Sequence, residues 1–165
     1  MDINSQRDAV RIFEYAFLEL ERKAKEGQRN LRRLEGGARD EAPVTALHRR
    51  DEVAVNTLLA SQTIPAIVVL SLAIEQALKV LIKQEDLMPK HVHELKLLFN
   101  QLPAYLQDEI KTFVMTDLTI SEEAFEDLLL ENNNAFINWR YFYEKQDTGS
   151  LSFLKSFFDS LKSKI

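Results

Sequence analysis

Between Ile64 and Ile74 the sequence offers water only one polar side chain, Ser71. Eleven residues at about 100° per residue go around a helix three times, so no face of this segment is left polar. A helix that is apolar all round must be surrounded by other elements. The chain is therefore expected to wrap the rest of itself around this segment, with the Ile64–Ile74 helix innermost. The run is far short of the roughly 20 apolar residues that cross a bilayer, and Glu75, Lys79 and Lys83 follow at once, so a membrane span is not expected.

The flanking segments supply the wrapping. Val10, Phe13, Phe17 and Leu20 recur at steps of three and four, one stripe of a helix that Ser5 is placed to cap. Gly36 and Gly37 end that pattern, and residues 36–50, with two glycines and Pro43, read as a loop. From Asp51 the pattern is helical again. Pro65 either sits in the first turn of a fresh helix capped by Thr63 or kinks one long helix. Leu95, Leu98, Phe99 and Leu102 form a short amphipathic helix stopped at Pro103, and Leu106, Ile110, Phe113 and Val114 continue the spacing. Thr119 with Glu122 has the form of a capping box. The next stripe is Phe125, Leu129, Asn132, Phe136, Trp139 and Tyr143, weakened where Asn132, Asn133 and Asn134 follow one another. A break or a polar site is expected there. Leu151, Leu154, Phe158, Leu161 and Ile165 mark a C-terminal amphipathic helix over 150–165. No convincing period-two stretch, repeat or low-complexity tract is present. The expectation is an all-α single domain, a compact bundle of about five helices.

Composition narrows function mainly by exclusion. The 165 residues include no cysteine, which removes thiol nucleophiles, disulfides and cysteine zinc sites. The first residues lack a basic stretch leading into an apolar core, so a cytoplasmic protein is expected. The net charge of −5 is uneven: residues 1–50 hold eleven Lys/Arg against nine Asp/Glu, and residues 51–165 hold ten against seventeen. An acidic body repels phosphate and disfavours broad nucleic-acid binding. Gly-rich phosphate loops, Walker lysines and serine elbows are absent, and no cofactor is expected. His91 and His93 point apart on a helix and have no third ligand nearby, so no metal site is expected. His93 instead reads as a cap or anchor for the helix after it.

Two basic features remain. Arg22, Lys23, Lys25, Arg29, Arg32 and Arg33 face only Glu26 within their run. They form either a solvated helix face or a phosphate-tracking or partner-binding arm in which Arg29, Arg32 and Arg33 are the candidates. Arg140 is the only arginine after Arg50. Glu144 lies four residues on and shares its helix face, with Asn133 and Ile137 on the same side and Trp139, Tyr141 and Tyr143 nearby. This is either a surface ion pair over core aromatics or an arginine that grips phosphate or carboxylate at an aromatic lip.

The order of three motifs resembles the HEPN superfamily of prokaryotic helical domains. Glu75-Gln76-Ala77-Leu78-Lys79 is similar to its Glu-x-x-Leu-Lys pattern, His93-Glu94-Leu95 to its His-Asp-Leu helix start, and Arg140-Tyr141-Phe142-Tyr143-Glu144 to its Arg-Tyr-x-Tyr-Glu helix end. The likeness covers roughly residues 60–145. It implies a homodimer and partners such as a nucleotidyltransferase, a toxin or a phage-defence effector, with RNA a further ligand. Ribonuclease members carry Arg, four to six residues, then His. Arg140 matches the arginine, but no histidine follows it through Ile165. The resemblance therefore implies a degenerate, non-catalytic binding module in a toxin–antitoxin or phage-defence setting. Two alternatives stand beside it. One is an active ribonuclease in which His93 or Glu144 moves the proton; the other is an acidic inhibitor or immunity protein that masks a basic effector.

Overall fold

A computed structural model describes the backbone of residues 2–37, 44–140 and 150–165, and the side chains of 2–26, 64–137 and 150–165. The described residues form seven helices and no strand: α1 (Ile3–Gly37), α2 (Val44–Gln84), α3 (Leu95–Phe99), α4 (Ala104–Leu118), α5 (Glu122–Glu131), α6 (Ala135–Arg140) and α7 (Leu151–Lys162). The all-α expectation holds. Five of the seven have seven residues or more, and α3 and α6 are short connecting pieces.

The first two helices are a long hairpin. They pack along one another, and Gln6 Nε2 lies 3.5 Å from Gln76 Oε1. Those two residues sit almost equally far from the 38–43 connection, so the pair is antiparallel. Position 65 resolves the open question about its proline: α2 runs through Pro65 without a new start. Within the expected 36–50 loop, residues 36–37 and 44–50 are helical, because α1 continues through Gly37 and α2 begins at Val44. Residues 38–43 lie outside the described part.

The second helix is the axis of the bundle, touching α1, α3, α6 and α7. Leu70, Ala73, Ile74, Ala77, Leu78, Val80 and Ile82 are wholly buried. The apolar segment extends beyond Ile74. Ile64–Gln84 is long and apolar enough by composition to cross a membrane, with a mean hydropathy of 1.9, and most of it is buried inside the bundle. Ser71, its lone polar residue before Glu75, donates to the Ile67 carbonyl at 2.8 Å. That bond removes the penalty of burying a hydroxyl among hydrocarbon.

Two caps differ from the sequence expectation. Asp2 starts α1, accepting the backbone N–H groups of Asn4 and Ser5 at 2.9 and 3.0 Å, while Ser5 lies inside the helix and donates its hydroxyl to Asp2. Those bonds hold the Asp2 carboxyl down at about 2. Ser121, not Thr119, caps α5 by accepting from the Ala124 N–H. Thr119 instead closes α4 in the left-handed conformation, φ 55°. The capping-box spacing was present, but the chain first had to reverse direction, and a left-handed residue between the two helices does that.

The far side of the core is aromatic. Phe99, Phe125, Phe153 and Phe157 are fully buried, and Phe157 lies 5.7 Å from Phe99, 6.3 Å from Phe125 and 5.6 Å from Phe153 between ring centroids. Helix α7 enters with Ser150 as its cap. It is pinned to α1 by Lys155 on Glu21 at 2.5 Å and by Lys162 on Glu14.

Candidate functional site

A carboxylate lies inside the apolar axis. Glu75 is 2% exposed, and an ionised carboxylate survives there only if both oxygens are satisfied. Lys79, one turn on, reaches Oε1 with Nζ at 2.6 Å. His93 reaches Oε2 with Nδ1 at 2.9 Å. A carboxylate only accepts, so Nδ1 carries the hydrogen. The other ring nitrogen, Nε2, is then an acceptor in the neutral imidazole and a donor in the charged one. The His93 side chain is half exposed, so the arrangement is a surface imidazole fixed from beneath by a buried carboxylate.

The residues around His93 explain how the loop before α3 holds its position. Leu95 N–H donates to the Asn133 carbonyl at 3.0 Å, and Lys96 N–H donates to Asn133 Oδ1 at 2.8 Å. Asn133 thus satisfies two of the orphan donors at the start of α3. Its neighbour Asn132 is buried. It donates to the Leu128 carbonyl at 2.8 Å and accepts from Ser150 N–H at 3.2 Å. The expected break in the asparagine run is therefore a turn, residues 132–134, whose amides fasten α3 and α7 in place. It also directs α6 so that the Phe136 ring meets the His93 ring, 5.5 Å between centroids and tilted by 42°.

The sequence candidates divide accordingly. His93 does not cap α3. Glu94 occupies the cap position, but its side chain accepts from the His93 N–H and makes no capping bond to α3, and His93 anchors the loop to α2 instead. Asn133 is on the site's rim with its amide oxygen committed to Lys96. Arg140 is the last residue of α6, one turn beyond Phe136 on the same helix face; its side chain lies outside the described residues. Tyr141, Tyr143 and Glu144 also lie outside them. Arg29, Arg32 and Arg33 belong to the distal part of α1, with side chains outside the description. His91 is exposed in the loop, and among the described residues no three His, Asp or Glu side chains converge as metal ligands.

Glu75 is the residue the sequence reading passed over. A signal was available: Glu75 and Lys79, four apart and directly after the apolar Ile64–Ile74 segment, must find partners if the helix is central. Which partner was not legible, because His93 comes from a loop eighteen residues away. No family model matches the chain, and no curated protein or solved structure matches it.

Proposed function

We propose that the chain is a non-catalytic, HEPN-like binding module that acts through a protein partner in a toxin–antitoxin or phage-defence setting. One observation carries the reading: the family's ribonuclease pair is broken, since Arg140 has no histidine after it. Support also comes from an all-α bundle in which the Glu75 helix is central and the helix ending at Arg140 packs on it. The acidic balance of residues 51–165 favours a protein over RNA as partner. RNA cleavage assays on structured and single-stranded substrates, with and without divalent metal, test the reading. No cleavage is expected, and Arg140→Ala is expected to weaken partner binding while leaving the helical content unchanged. Arg140→Lys should restore binding only in part, because an ammonium lacks the planar fork.

A second reading has its own observation. His93 is oriented by a buried carboxylate, the arrangement a general acid–base uses, and α6 brings the Arg140 backbone within one turn of the Phe136 that covers it. Cleavage lost in both His93→Ala and Arg140→Ala would replace the binding module with a rearranged ribonuclease.

A further inference from the structure

The loop that leaves α2 holds its apolar side chains outward. Met88 is 82% exposed and Leu87 45%, and Tyr105 at the start of α4 is 53% exposed. The loop itself is fixed. Asp86 takes the left-handed conformation, φ 55°. Its N–H donates to the Lys83 carbonyl and Leu87 N–H to the Ile82 carbonyl, both at 3.1 Å, which closes the helix. A helix ending of this kind commonly folds the apolar side chain at the Leu87 position back onto the last turn, but neither Leu87 nor Met88 packs against the core. Pro89 is buried, and Gln101 grips the chain on both sides of it. Gln101 Nε2 donates to the Met88 carbonyl at 3.3 Å, and Oε1 accepts from Lys90 N–H at 3.0 Å. Tyr105 donates its hydroxyl to Glu85 at 2.7 Å, so loop and helix present one surface. Acidic groups surround it. Glu85 and Asp86 lie in the loop, and Asp108, one turn past Tyr105, shares its helix face. None of these three has a cationic partner among the described residues, whereas Glu109 is already held by Lys164. Lys90 is the one lysine between residues 85 and 92.

We propose that this surface docks a partner protein through a segment in which Lys or Arg side chains flank apolar ones. Leu87, Met88 and Tyr105 form an apolar centre that gains by leaving water. Met88 is unbranched and adapts its shape to what covers it. The unpaired carboxylates set the sign of the rim: a cationic side chain finds a partner there, and an acidic segment or a phosphate meets repulsion. The surface lies about 15 Å along α2 from Glu75, so it is separate from the His93 site and from the helix that ends at Arg140. The inference rests on the reading of the chain as a protein-binding module, whose own failure would appear as RNA cleavage and not as lost peptide binding.

The test uses the full chain. It has three methionines, so methyl-labelled Met gives a sparse NMR spectrum in which Met88 is assigned by its loss in Met88→Leu. The probe is a short amphipathic helical peptide of leucine and lysine. A leucine–glutamate peptide of the same pattern and a serine–lysine peptide are the comparisons. The leucine–lysine peptide is expected to shift the Met88 methyl signal saturably and to leave that of Met115, which packs against the core, in place. Affinity is followed by the anisotropy of labelled peptide. Asp86→Lys, Asp108→Lys and Met88→Ser are each expected to weaken binding about fivefold. Asp127→Lys, the same change of charge on α5, and Arg140→Ala are expected to leave it as it is. Helical content by circular dichroism is expected to be unchanged in every variant. A Met88 signal that does not move, equal binding of either comparison peptide, or an Asp127→Lys effect as large as that of Asp86→Lys would each overturn the proposal.

Discussion

Glu75 connects sequence to site through a single buried charge. Its two oxygens are claimed by a neighbour on its own helix and by a loop histidine. Removing the carboxylate leaves Lys79, itself mostly buried, without a counter-charge against an apolar wall. Glu75→Ala is therefore expected to cost about 3–5 kcal/mol, as breaking a buried ion pair does, measured by urea unfolding. Replacing both partners, Glu75→Leu with Lys79→Met, is expected to recover much of that loss, because no lone charge remains buried. A Glu75→Ala variant as stable as the wild type would mean the carboxylate is not ionised in the core. His93→Ala should cost less than Glu75→Ala, since Lys79 still neutralises the carboxylate.

Among the elements, α7 shows how far pattern reading reaches. Its stripe of Leu154, Phe158 and Leu161 is buried as the spacing implies, but so are Phe153 and Phe157. The helix lies between α2 and α4 while its edge is pinned to α1, so it buries a wider arc than an amphipathic stripe. Phe157 touches three other aromatic rings, two edge-on and one stacked. Phe157→Ala is expected to lower stability by about 3–5 kcal/mol through lost contacts and a cavity. The check is a fall in the urea midpoint with the slope unchanged. Little change would mean that the cluster collapses onto the gap.

Across the whole molecule, Glu126 of α5 ties the small helices together by accepting from Lys111 of α4 at 2.8 Å and pairing with Lys96 of α3 at 3.2 Å. The hydrogen bond from Lys111 is the main reason its carboxyl is held below the ordinary 4.5. A lowered carboxyl stabilises the fold above its unfolded value and loses that contribution as pH falls through the folded value. The Glu126 side chain is 37% exposed, so solvent screening keeps the effect to about 1 kcal/mol or less. Lys111→Met is expected to destabilise at neutral pH, and its difference from the wild type is expected to shrink below pH 4.5. A residue of the difference should persist, because Lys111 also lies over the Phe125 ring at 5.9 Å. Urea midpoints at neutral and acid pH test this, and a cost independent of pH would refute it.

Periodicity alone determined that this chain is helical and which helix is innermost, because a segment without a polar face between Ile64 and Ile74 has one stable place. It also determined that the asparagine run breaks a helix and that a last amphipathic helix follows Ser150. Local spacing could not decide the caps. Ser5, Thr119 and Glu122 all stood at plausible positions, yet Asp2 and Ser121 do the capping, since a cap is chosen by where the chain turns. Nor could spacing join Glu75 to His93, Asn133 to the start of α3, or Phe136 to the imidazole. Those contacts link residues far apart in sequence and exist only once α2, α5 and α6 have packed. The stripe of Val10 and Phe17 was written in the sequence, but only the fold decided what it packs against, turning both inward and leaving Tyr15 exposed.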